Sequence, residues 1–235
     1  MAPLTSCVLL AVACTTFGAQ PQPVKIVLVG DSTVNDEGGW GSGLRAFFGP
    51  EVTVLNLAKN GRSSKSFRDE GLWEQALAAR PNFILIQFGH NDVPGKGPDR
   101  ETDAKTAYRQ NMARYVDEAR AIGAEPVLVT SIVRRNFTPD GKIKADSLAP
   151  YVEAVRSLAA EKKVPLIDLY TLTREQAEKL GPAGCAEIDA RDKDGKPDHT
   201  HLGPKGRQEI GAIAARELVK VESVLRPNVS QPGRR

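Results

Sequence analysis

Five short runs of apolar, mostly β-branched residues recur along the chain: KIVLVG at 25–30, VTVLNL at 52–57, FILIQFG at 83–89, EPVLVTSI at 125–132 and VPLIDL at 164–169. Hydrophobicity within them is nearly continuous. A strand with that pattern is covered on both faces, as in a parallel sheet. Between the runs the apolar positions step by three and four. From Asp103 to Gly123 they are Tyr108, Met112, Tyr115, Ala119 and Ile122; from Ser147 to Lys163 they are Leu148, Tyr151, Val152, Val155 and Leu158. A last stripe, after Gly203-Pro204, runs through Ile210, Ala214, Leu218, Val221 and Leu225. Each stripe marks a helix that needs a sheet face to cover it. Strand–helix alternation without internal repeats predicts an α/β fold, a three-layer α/β/α sandwich with about five parallel strands.

Length and composition set the frame for that fold. With 235 residues, 40% of them apolar, the chain can bury one sizeable core and forms one domain. We assign that domain to residues 24–226, with a leader at 1–23 and a flexible tail at 227–235 that is rich in Pro, Gly and Arg. Lys and Arg number 32 against 29 Asp and Glu, interspersed, and a net charge of +3 gives no basis for a nucleic-acid or anionic-membrane partner. The leader, MAPLTSCVLLAVACTTFGAQPQP, contains no Asp, Glu, Lys or Arg, and its apolar stretch is too short to span a bilayer. It reads as a signal peptide with a small-residue exit near Gly18-Ala19, which implies a secreted or periplasmic protein; a disordered apolar tail is the alternative. Cys14 follows Val12-Ala13 as in a lipoprotein signal, but Ala11 fits that pattern poorly, so a lipid anchor is the lesser reading. Cys7 and Cys14 both fall in the leader, leaving Cys185 and no internal disulfide.

In open parallel sheets, ligands gather beyond the carboxyl ends of the strands. Gly30-Asp31-Ser32, Asn60-Gly61 and Gly89-His90-Asn91-Asp92 all follow strands on that edge. Ser32 taken alone can be a loop residue or a helix cap. As a nucleophile it needs a base in reach and donors aimed at a developing oxyanion. The chain holds three histidines, His90, His199 and His201. In PDHTHLGPKG (197–206), Asp198 precedes His201 by three positions, so its carboxylate can hold one ring nitrogen while the other faces a serine. The competing reading is a solvated loop ahead of the last helix. His199, adjacent to the acid, has the poorer spacing and is placed in the loop or rim. Asp198, His199, His201 and His90 also make a modest metal-ligand pattern, but no second cluster supports it and no metal is assigned. GHNDVPGKG lacks the spacing and the hydroxyl of a phosphate loop, and no cofactor is expected. The Gly61 N–H and the Asn91 side-chain amide are candidate oxyanion donors beside the Ser32 N–H, although each can equally serve a turn.

GDST, NGRSS, GHND and DHTH, in that order, resemble the four sequence blocks of the SGNH (GDSL-type) hydrolases. More narrowly, GDSTV followed by GGWG, then NLAKNGRSSKSF with EGLW, then QFGHND, resembles the rhamnogalacturonan acetylesterase-like branch, and the likeness runs from Lys25 to Leu225. The resemblance implies a flavodoxin-like sandwich with sheet order 2-1-3-4-5. It implies a metal-independent serine esterase whose nucleophile matches Ser32, whose acid and base match Asp198 and His201, and whose oxyanion hole matches Ser32, Gly61 and Asn91. The implied reaction is removal of O-acetyl groups from plant cell-wall polysaccharide, pectic in type, through an acetyl-serine. A broader short-acyl lipase, thioesterase or esterase, or a non-catalytic carbohydrate-binding relative, is the alternative. The chain lacks the disulfides of the fungal enzymes of that branch, which bears on origin and stability more than on chemistry.

An acetylated polysaccharide or oligosaccharide is then the expected partner of a monomer without nucleic acid or membrane span. On the substrate side, Trp40 can stack on a sugar face or pack under the first helix, and Trp73 falls in a helical pattern as core. Arg62 and Arg134 are candidate forks for uronate carboxylates. Asp31 is a further weak candidate, and His90 can touch either substrate or the Asn91 loop.

Overall fold

A computed structural model describes residues 23–229; the proposed leader up to residue 22, with Cys14, and the tail beyond 229 lie outside the described residues. The first half of the chain forms β1 (Val24–Gly30), α1 (Gly41–Phe47), β2 (Val52–Asn56), α2 (Ser66–Asp69), α3 (Leu72–Ala78), β3 (Phe83–Gln87) and α4 (Ala107–Ala121). The second half forms β4 (Glu125–Val129), α5 (Ala149–Lys162), β5 (Leu166–Ile167), α6 (Leu169–Ile188), β6 (Asp189–Arg191), β7 (Pro197–Leu202) and α7 (Pro204–Val221). A 3-10 turn over Ser223–Asn228 follows, and Val229 bridges to Phe48.

The five apolar runs become one parallel sheet in the order β2-β1-β3-β4-β5. Both of its faces are covered, as continuous hydrophobicity requires. Val27, Val29, Ile84, Ile86 and Leu128 point toward one layer, where Phe67, Trp73, Tyr108, Met112, Tyr115 and Tyr151 of α2–α5 meet them. Ile26, Leu28, Leu85, Val127 and Val129 point the other way, against Leu44 of α1, Leu169 of α6 and Ile210, Ala214 and Leu218 of α7. The alternation of successive side chains along each strand sorts one apolar run into two cores.

Three features depart from the pattern expected of the sequence. The fifth strand pairs over only Leu166–Ile167, because Asp168 leaves the sheet to cap α6, its side chain accepting from the Thr171 N–H. α6 itself has no clean apolar stripe and is broken at Gly181, where the backbone turns to φ 66° before Pro182. Residues 189–202, of which 197–202 carried a solvated loop as the competing reading, form the antiparallel β6–β7 ribbon. No helix among the described residues is long and apolar enough to cross a membrane.

α1 and α7 cross at glycines. A Cβ on Gly211 would lie 2.4 Å from the Gly43 carbonyl carbon, and one on Gly43 would lie 2.0 Å from the Arg207 oxygen. Contact that close leaves no room for a methyl group without moving a helix. Gly211→Ala is therefore expected to lower the unfolding free energy by roughly 1–3 kcal/mol, the cost of overpacking, measured by urea denaturation.

Candidate active site

The turn after β1 is anchored from below by a buried polar chain. Asp31 Oδ1 accepts from the Thr33 N–H at 2.8 Å and the Thr33 hydroxyl at 2.7 Å. The Thr33 oxygen accepts in turn from Gln87 Nε2 at 2.7 Å, and Gln87 Oε1 accepts from Trp40 Nε1 at 2.9 Å. All four residues are fully buried. Burial raises the Asp31 carboxyl, and the two bonds from Thr33 partly offset that. Ser32, between the two anchored neighbours, is left partly exposed at the sheet edge.

β7 brings the histidines to the same edge by a bulge. Asp189 pairs with Leu202 and the next residue, Ala190, with Asp198, so His199, Thr200 and His201 stand out of the ladder. Bulges re-aim side chains at the cost of ladder hydrogen bonds. Here the displaced backbone is bound again. Asp198 Oδ1 accepts from the N–H groups of Thr200 (2.9 Å) and His201 (3.2 Å). Arg135 donates its backbone N–H to the His199 carbonyl and Nη2 to the His201 carbonyl, both at 2.7 Å. Its Nε pairs with the fully buried Asp189, whose other oxygen accepts from His199 Nδ1 at 2.8 Å.

The result is a linear relay. The Ser32 hydroxyl donates to His201 Nε2 at 2.8 Å, and His201 Nδ1 donates to Asp198 Oδ2 at 2.7 Å. Burial alone would push the Asp198 carboxyl up. The bonds from His201 and from the Thr200 and His201 N–H groups outweigh it and hold the carboxyl below its ordinary value. An imidazole fixed in this way can take a hydroxyl proton and share the resulting charge with the carboxylate.

Three residues with hydrogen-bond donors to spare, Ser32, Gly61 and Asn91, line one cleft. The N–H groups of Ser32 and Gly61 have no hydrogen-bond partner among the described residues. Gly61 sits at φ +76°, a left-handed conformation that glycine adopts without strain. Asn91 Nδ2 spends one hydrogen on the Arg62 carbonyl at 3.2 Å, leaving the other. The cleft, about 450 Å³, is lined by Ser32, Asn35, Glu37, Gly38, Asn60, Gly61, Asn91 and His201. Asn35, which donates to Asn60 Oδ1, and Glu37 are lining residues that no motif reasoning singled out; Asn60 and Gly38, whose carbonyl accepts from the Leu202 N–H, fall within the quoted NGRSS and GGWG blocks.

The weaker substrate-side candidates do not reach this cleft. Trp40 has no exposed surface and packs beneath α1, so it stacks on no sugar. Asp31 is equally buried and holds the turn. His90 is 4% exposed, with Nε2 against the Ile132 carbonyl at 3.1 Å; burial first, then the Arg134 charge, keeps it well below the ordinary imidazole range. The Arg62 guanidinium is taken by Glu70 and the Asn60 carbonyl, and that of Arg134 by Asp146 and Ser147. The metal pattern is also dispersed, since His201 uses both ring nitrogens within the relay and His199 turns to Asp189.

Residues 17–209 match the GDSL-like Lipase/Acylhydrolase family. The chain is 34% identical to the rhamnogalacturonan acetylesterase RhgT of Bacillus subtilis, over 91% of this chain and 97% of that protein. It is 32% identical to the probable rhamnogalacturonan acetylesterase YesY of the same organism, over 82% and 91%. Among solved structures, YxiM of Bacillus subtilis superposes with a TM-score of 0.73 at 25% identity, covering 84% of this chain and 56% of that one. Axe2, an acetylxylan esterase from Geobacillus stearothermophilus, shares the fold with a TM-score of 0.60 at 18% identity, over 86% and 96%. The chain belongs to the GDSL-like lipase/acylhydrolase family and is a serine ester hydrolase.

Asp92 joins the two loops that carry Gly61 and Asn91. It accepts from the Ser64 N–H and hydroxyl and from the Thr102 hydroxyl. Burial pushes its carboxyl from 3.8 up to about 6, against the lowering by those bonds. Between these values the folded chain binds more proton than the unfolded one, so Asp92 makes stability fall as pH rises through this window. Asp92→Asn is expected to flatten that slope, which amounts to no more than about 3 kcal/mol, in denaturation curves taken across pH.

Proposed function

We propose that this ester hydrolase removes acetyl groups from an acetylated plant cell-wall polysaccharide, pectic in type, through an acetyl-serine on Ser32. The observation that carries the reading is the relay from Ser32 through His201 to Asp198, set beside three donors. Ser32 Oγ attacks the ester carbonyl while its proton passes to His201 Nε2. The oxyanion is met by the N–H groups of Ser32 and Gly61 and the Asn91 amide. As the tetrahedral centre collapses, the C–O bond to the sugar breaks and His201 returns its proton to the sugar oxygen. Water then attacks the acetyl-serine, losing a proton to the same imidazole, and acetate leaves as Ser32 regains its hydrogen.

Acyl size follows from the lining. Apart from the serine and histidine, the cleft offers amides, a carboxylate and bare glycines, and no apolar side chain. Each further methylene of an acyl chain would gain about 0.8 kcal/mol only where it could be buried, and nothing here buries it. This favours acetyl over the long acyl groups of a lipase. The names of RhgT and YesY support the pectic substrate. The uncharged leader, outside the described residues, supports export to where a polysaccharide is met.

Acetate release from acetylated rhamnogalacturonan and acetylated xylan, beside nitrophenyl esters of rising chain length, tests the assignment. Rhamnogalacturonan and the shortest esters are expected to lead, and a preference for long acyl chains would overturn it. Ser32→Ala is expected to lower turnover by about 10⁶ and Asn91→Ala by about 10²–10³.

A further inference from the structure

A second and larger depression, about 590 Å³, adjoins the same bulge: His199 lines it, as His201 lines the first. Its volume is that of a small-molecule site. Arg135, Asn136, Phe137, Lys144 and Asp146 contribute to its walls. Two of the charges are already matched, Arg135 by Asp189 and Asp146 by Arg134. Lys144 is exposed and has no carboxylate partner among the described residues, so the depression carries net positive charge.

His199, like the relay histidine, gives its Nδ1 to a carboxylate. The Asp189 carboxylate can only accept, so the proton of the neutral ring stays on Nδ1 and Nε2 is an acceptor. That nitrogen has no partner among the described residues, and the ring is 47% exposed. One oxygen of the buried Asp189 carboxylate pairs with Arg135 and the other orients a half-exposed imidazole two positions from His201. Phe137, partly buried, adds an apolar wall.

We infer that this depression is a saccharide subsite for a uronate residue near the acetylated sugar. Lys144 Nζ meets the uronate carboxylate as a point charge, His199 Nε2 accepts from a ring hydroxyl, and the Phe137 ring covers a C–H face. The inference rests on the proposed function in placing an acetylated acidic polysaccharide at Ser32. It also supplies the recognition of acid that Arg62 and Arg134, both engaged elsewhere, do not.

Calorimetric titration of the full chain tests it without hydrolysis. The probes are a non-acetylated oligosaccharide of alternating rhamnose and galacturonate and the same oligosaccharide after carboxyl reduction. The acidic form is expected to bind about tenfold more tightly, an advantage that added salt narrows and Lys144→Glu removes. Equal affinity for the two forms, no binding of the acidic form, or an advantage that survives Lys144→Glu would each overturn the subsite. Binding that depends on Lys144 in a protein that releases no acetate from the polysaccharide would sink the proposed function and leave the subsite standing. Acetate release with binding indifferent to Lys144 would do the reverse.

Discussion

The site depends on one contact: the hydroxyl of Ser32 against Nε2 of His201, between residues 169 positions apart. Neither side chain reaches the other unaided. The serine is presented by a turn whose neighbours are buried and hydrogen-bonded, and the histidine by a bulge that a regular ribbon would not contain. What makes the bulge tenable is Arg135, which lies 3% exposed and binds two carbonyls that the ladder has released. Burying its charge is costly unless it is paired and its donors are used, and Asp189 provides the pair. Removing either partner would leave an unmatched buried charge directly beneath His201.

A similar economy governs the donors proposed to meet the oxyanion. Gly61 and Asn91 come from different loops, after β2 and β3, and the Asp92 carboxylate fastens one to the other through Ser64. The Asn91 amide is aimed by its bond to the Arg62 carbonyl. Donors positioned before the reaction need no reorganisation as charge develops, which is the source of their effect on rate. The lining around them holds no apolar side chain, and the depression that His199 lines adjoins the same bulge.

Much of this was legible in the residues. Continuous apolar runs and three-four stripes carry the sandwich, because burial on two sheet faces leaves no freedom to alternate. The order of the strands came from the family likeness, since periodicity says nothing of neighbours. Ser32, Asp198 and His201 stood out through residue type and spacing. The bulge did not, because DHTH has no strand-like alternation and its ladder is broken where it matters. Arg135 and Asp189 were equally hidden, for an arginine and an aspartate ordinarily signal surface, and only their pairing across 54 positions makes them core. Trp40 carried two readings that sequence could not separate. Its indole N–H bond to Gln87 in the interior decides for packing.

A serine-directed fluorophosphonate, followed by mass spectrometry of the digested protein, tests the central contact most directly. The account predicts a single adduct, on the peptide carrying Ser32, and its loss in His201→Ala under conditions where circular dichroism shows the fold intact. An adduct on another serine, or labelling of His201→Ala at the rate of the unaltered protein, would contradict it.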